Sequence, residues 1–157
     1  MHTRAEFEGA RALLVMFICN HCPYVIAVED RLVALGRTFG QQSVKIVAIS
    51  SNDPEQKPAD SFENMQKKAY PFPYLHDESQ AVAKAFGAVC TPDFFLYDES
   101  LKLVYRGRLD DSWKDASLVK SEELKAAIEA LLEGREVTRE QRPSMGCSIK
   151  WKPQNIA

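Results

Sequence analysis

The sequence predicts a three-layer α/β fold, with a mixed central sheet of four to five strands flanked by helices, and three observations carry that expectation. The continuous apolar run Ala12–Ile18 is too short for a free-standing helix and reads as a strand buried on both faces. A helical face of Val25, Val28, Leu32, Leu35 and Phe39 follows it, and then the β-branched run Val44–Ile49. Strand, helix and strand in that order make a parallel pair with a crossover. Further on, Phe94–Tyr97 and Leu101–Leu109 are extended runs joined by the short turn Asp98–Ser100, which marks an antiparallel pair.

The remaining elements follow from local signals. Pro23 can occupy the first turn of a helix, where its missing N–H costs little. Asn52-Asp53-Pro54 turns the chain out of the second strand. Asp60-Ser61-Phe62-Glu63 has capping-box spacing and predicts a helix with Phe62, Met65 and Ala69 facing inward. Phe72–Leu75, between prolines, reads as a short edge strand. Asp77 caps a helix that carries Ala81, Val82, Ala85 and Phe86 and that Gly87 ends as a left-handed residue. Ser121–Glu133 forms the last helix, with Leu124, Ala127, Ile128 and Leu131 on one face and Gly134 closing it. Residues 142–157 show no period and read as a tail on a single domain spanning residues 1–157.

Composition narrows the function classes. The chain has 157 residues, 45% apolar and 27% charged, enough to build one core without disulfide staples. Its 20 basic and 22 acidic side chains leave a net charge of −2, so nothing draws the whole chain toward nucleic acid or an anionic membrane. Ala12–Cys19 is far short of the roughly 20 apolar residues that span a bilayer. The opening residues show no charged-then-apolar segment ending in a small-residue cleavage site, so the expected location is cytoplasmic. Structural disulfides are unusual there, and two nearby cysteines mean redox chemistry or metal.

Cys19 and Cys22 stand three apart where the first strand meets the first helix. One helical turn brings residues i and i+3 together, so their sulfurs can reach bonding distance. Unpaired N–H groups at the helix start favour a thiolate at Cys19, while Cys22, a turn inside, suits the resolving role. His21, as an imidazolium between them, favours thiolate over disulfide and makes the couple more oxidising. A CxxC placed after a buried strand and before an amphipathic helix points to a thioredoxin-like arrangement. Zinc ligation by Cys19, Cys22, Cys90 and Cys147 is the competing reading, weakened because the last two form no second close pair. Neither a metal nor a cofactor is expected. Cys90-Thr91-Pro92 precedes a strand, and a cis Thr91–Pro92 bond beside the CxxC would leave the preceding backbone free to pair with an extended substrate.

Several motifs agree in order along nearly the whole chain. They are Phe17-Ile18-Cys19-Asn20-His21-Cys22-Pro23-Tyr24-Val25, Phe72-Pro73-Tyr74-Leu75, Cys90-Thr91-Pro92-Asp93, Tyr105 to Asp111 and Gly146-Cys147-Ser148-Ile149-Lys150-Trp151. Together they resemble the peroxiredoxin-like, redoxin-domain branch of the thioredoxin superfamily. That resemblance implies a thioredoxin fold, a disulfide oxidoreductase or antioxidant role, Cys19 and Cys22 as the redox pair and Pro92 as the cis-proline. Protein or small-molecule disulfides and an external reductant are the expected partners. Family members usually carry some thirty further residues ahead of the first strand, so a truncated or differently started chain is expected. Met16 stands where thioredoxin has a buried acid, and Ile18 where it has a tryptophan. Against true peroxiredoxins, Cys22 aligns with the peroxidatic cysteine, while Cys19, Val15 and Pro92 replace the threonine, proline and arginine of that site. The chemistry expected is therefore dithiol–disulfide exchange, with a thiol peroxidase as the alternative and a redox-sensing or metal-binding module as the third. Cys90 and Cys147 are candidate auxiliary cysteines, and the tail is expected to fold back through Ile149 and Trp151, with a Cys90–Cys147 bridge as one outcome.

Overall fold

The computed structural model describes residues 2–156. Its sheet has five strands in the order β3-β2-β1-β5-β6, where β1 is Ala12–Phe17, β2 Val44–Ser50, β3 Tyr74–His76, β5 Asp93–Asp98 and β6 Leu103–Gly107. β1 runs parallel to β2 and antiparallel to β5, and β5 pairs antiparallel with β6. The central place of β1 explains its unbroken apolar sequence, because every one of its residues is buried. Leu14 and Met16 face a core closed by Leu32, Leu35 and Phe39 of α2 (Glu29–Phe39) and by Leu124, Ala127 and Ile128 of α5 (Glu123–Leu132). Leu13, Val15 and Phe17 face the opposite layer, where Ala83 and Phe86 of α4 (Ala81–Phe86) and Ile149 and Trp151 of the C-terminal segment cover them. Among the described residues, no helix is long and apolar enough to cross a membrane.

Three local expectations are corrected. The helix after Pro23 is broken into α1 (Pro23–Ile26) and α2, with Val28 at φ −108°, ψ 2° between them, although Val25, Val28, Leu32, Leu35 and Phe39 are all buried as the periodicity requires. The helix α3 is a single turn, Phe62–Met65, capped by Ser61 and not by Asp60. Within it Met65 is buried, but Phe62 is 52% exposed and stacks on His76, and Ala69 lies exposed beyond its end. The tail is not structureless: Cys147–Ser148 forms β7, which pairs antiparallel with β4 (Cys90–Thr91). Beyond β7, Lys150 is tied to the turn after β2 by hydrogen bonds from Asp53 N–H to Lys150 C=O (2.9 Å) and from Lys150 N–H to Asn52 Oδ1 (2.9 Å).

These placements set a stability contrast. Phe17→Ala removes a ring packed edge-on against Phe86 and Phe95 and is expected to cost about 3–5 kcal/mol in urea unfolding. Phe62→Ala is expected to stay within about 0.5 kcal/mol of the parent, since its ring is largely in water. Comparable losses at the two positions would contradict the packing.

Candidate active site

The site forms where β1 ends. Cys19 leaves the strand two residues after Phe17, and Cys22 is the N-cap of α1, followed by Pro23 in the first turn. The loop between them cannot hydrogen-bond to the sheet, so its backbone needs another acceptor. Asp60, fully buried on the loop after β2, supplies it. Its Oδ1 accepts from Asn20 N–H (2.8 Å) and His21 N–H (3.0 Å). Its Oδ2 accepts from Asn52 Nδ2 (2.8 Å) and from the His21 ring at Nδ1. Asn20 adds hydrogen bonds to Ala59 C=O and from the Tyr74 hydroxyl. The sequence reading assigned Asp60 to a helix cap. The acid missing at Met16 is thus replaced by a buried carboxylate arriving from another element.

The structure brings Cys19, His21, Cys22, Thr91, Pro92 and Cys147 together. The Cys19 sulfur lies 3.7 Å from His21 Nδ1 and 3.5 Å from the Thr91 hydroxyl. The Thr91–Pro92 bond is cis. Cys19 is only 1% exposed and Cys22 is fully buried, so the expected contrast between an exposed first and a buried second cysteine does not hold. The two thiols are shifted in opposite directions. Cys22 is brought down to about 4, first by the Cys19 thiol donating to it, helped by the thiol and N–H of Cys147 and by Val25 N–H, against the penalty of burial. Cys19 is pushed up, first because its proton serves Cys22, then by burial and by the Asp60 carboxylate nearby. One acceptor opposes this arrangement, the Thr91 carbonyl 3.3 Å from the Cys22 sulfur. The balance of these influences lowers the Cys22 thiol and raises that of Cys19.

Cys90 stands apart. Burial and the neighbouring Asp93 push its thiol up to about 12, and it turns toward the carbonyls of Pro92 (3.5 Å) and Ser144 (3.8 Å). In the β4–β7 register Cys90 lies opposite Ser148, and Thr91 opposite Cys147. Neighbouring strand residues point to opposite faces, so Cys90 and Cys147 do not share one, which removes the bridge considered as one outcome. All four cysteines are free thiols. The four-cysteine zinc set is likewise not gathered. The residues that could hold a metal are Cys19, His21 and Asp60, whose donor atoms all lie within 4.8 Å of one another. Beside Pro92 opens a cleft of about 280 Å³, bordered by Val28, Trp113, Ser144 and Met145. Its wall is fixed by Arg31, which bonds Asp110 (2.6 Å) and the carbonyls of Ser112 and Trp113, and by the Tyr24–Trp113 ring pair.

A buried thiol pair at the head of a helix, next to a cis-proline loop on this sheet, defines a thiol-based redox protein of the thioredoxin-like fold. The AhpC/TSA family model matches residues 2–106, and the chain belongs to that family. An uncharacterized conserved protein from Geobacillus kaustophilus is 54% identical, with 96% of this chain and 82% of that one covered and a TM-score of 0.90. A hypothetical protein from Sinorhizobium meliloti is 44% identical over 97% and 86% of the two chains, with a TM-score of 0.91. A thioredoxin-like protein solved in its oxidized form shares the fold at 17% identity, with a TM-score of 0.67 over 87% of each chain. A comparison with curated proteins finds no match.

The role of Asp60 is open to a graded test. Asp60→Ala leaves the N–H groups of Asn20 and His21 without their acceptor and is expected to lower the stability of the reduced protein by about 1–3 kcal/mol. Asp60→Asn can still accept both through its carbonyl oxygen and is expected to lose less. Equal stability of all three proteins in urea unfolding would remove Asp60 as the anchor of the loop.

Proposed function

We propose that the protein is a thiol–disulfide oxidoreductase that works through reversible closure of a Cys19–Cys22 disulfide. The observation that carries this reading is a pair of buried free thiols at the two ends of one loop, both contacting Thr91 of the cis-proline turn, with the Cys22 thiol lowered and the Cys19 thiol raised. The Cys22 thiolate attacks one sulfur of a substrate disulfide; a Cys22–substrate bond forms and the other substrate sulfur leaves as a thiolate. Once Cys22 is bonded, the main cause holding the proton on Cys19 is gone. Cys19 then gives that proton to the His21–Asp60 pair, whose atoms lie within 4.8 Å of its sulfur, and attacks Cys22. The Cys19–Cys22 bond closes and the second substrate thiol departs. The reverse sequence oxidises a substrate dithiol.

Stabilising the thiolate stabilises the reduced form. A lowered Cys22 thiol therefore makes the couple more oxidising than a pair of ordinary thiols. The potential measured against glutathione is expected nearer about −120 mV than −270 mV. A value at the reducing end would contradict the thiolate assignment.

A second reading, a thiol peroxidase, is favoured by the family and by a lowered, fully buried Cys22. Against it, no arginine or lysine among the described residues hydrogen-bonds to either sulfur, leaving the developing peroxide charge without a cation. With a thiol reductant supplied, turnover of a small disulfide is expected to exceed that of hydrogen peroxide, and Cys22→Ser to abolish both. Faster peroxide consumption would select the peroxidase.

A further inference from the structure

The edge of β4 beside the cis-proline is where a substrate backbone was expected to pair, and it is already taken. β7 lies along it in antiparallel register, with Cys147 opposite Thr91, the residue whose carbonyl contacts the Cys22 sulfur. The fit is close: a Cβ added at Gly146 would meet the Thr91 carbonyl oxygen at 2.0 Å. Cys147 packs against the buried cluster that contains Cys19 and Cys22. The segment is pinned by Ile149, buried in the core, and by Asn52, whose other side-chain end donates to Asp60 under the CxxC loop. It lies beyond the residues that the family model matches.

We propose that the C-terminal strand is a built-in occupant of the substrate-pairing edge and that Cys147 is the sulfur it presents to Cys22, so that the two form an internal disulfide alternative to Cys19–Cys22. This rests on the reading of Cys22 as the attacking thiolate. The electrons balance without a further reagent. After Cys22 has attacked a substrate disulfide and released its first thiol, the Cys147 thiolate attacks the Cys22 sulfur, the Cys22–Cys147 bond forms and the second substrate thiol leaves with the proton. Cys147 is held as a thiol, pushed up to about 11 by burial and then by its contact with the Cys22 thiolate. That second cause disappears when Cys22 is bonded, while Lys57 and Lys150 continue to favour the Cys147 thiolate. The segment thus offers strand pairing and a sulfur beside Cys22, and a strand-like substrate has to displace it.

The test oxidises the full chain with bis(hydroxyethyl) disulfide and maps its disulfides by proteolysis and mass spectrometry. Wild-type protein must yield the Cys19–Cys22 bond; its failure to appear overturns the proposed function itself. In Cys19→Ser the expected product is a monomer linked Cys22–Cys147 in most chains, unchanged when Cys90→Ser is added. Persistence of the hydroxyethyl adduct on Cys22 with Cys147 reduced overturns the internal disulfide while leaving the Cys19–Cys22 chemistry intact. A Cys22–Cys147 bond found only between two chains, seen as a dimer on a non-reducing gel, overturns the docked strand.

Discussion

The surroundings of the buried Cys22 sulfur, where Cys19, Thr91 and the β7 strand meet, are the constraint on which the rest of the site depends. A buried thiolate is costly unless donors surround it, and each donor here comes from a different part of the fold. Val25 N–H comes from the first turn of α1, the Cys19 thiol from the end of β1, and the Cys147 N–H from β7. β1 is fixed by burial on both faces between two cores, so the position of Cys19 is set by packing and not by the loop itself. The acidity of Cys22 is therefore a consequence of how three elements meet. It does not follow from the CxxC spacing alone.

Asp60 links that convergence to the rest of the protein. Its two oxygens hold the backbone of Asn20 and His21 and the side chains of His21 and Asn52, and Asn52 in turn receives Lys150 N–H from the C-terminal segment. A single carboxylate thus ties the redox loop to the strand that covers it. Its charge also raises the cost of a thiolate at Cys19, which helps to decide which sulfur carries the proton. A change at Asp60 should be felt in loop order, in proton placement and in the seating of β7 together.

What was legible in the sequence was what local chemistry dictates. The run Ala12–Ile18 could only be a strand buried on both faces, the period from Val25 to Phe39 could only be one helical face, and Gly87 and Gly134 adopt the left-handed conformation their positions called for. The CxxC and the Thr91–Pro92 loop were visible because their residue types announce them. Asp60 was hidden because its neighbours Ser61 and Glu63 mimic a helix start, and only the folded chain shows that the carboxylate turns inward to a loop some forty residues away. The pairing of Cys147 with Thr91 was hidden because a two-residue strand has no period to read. The order of the thiols was read from the helix start alone, which favours Cys19, whereas the influences that lower Cys22 include Cys147, distant in sequence.

The central claim is that the proton of the reduced pair resides on Cys19 and the charge on Cys22. The most direct measurement is a pH titration of the reduced protein followed by nuclear magnetic resonance at the Cβ carbons of the two cysteines, selectively labelled and assigned by single Cys→Ser variants. The account predicts that the Cys22 resonance titrates below the ordinary thiol range and that Cys19 titrates above it. A Cys22 signal that stays in the thiol form at neutral pH, with Cys19 titrating below it, would contradict the account.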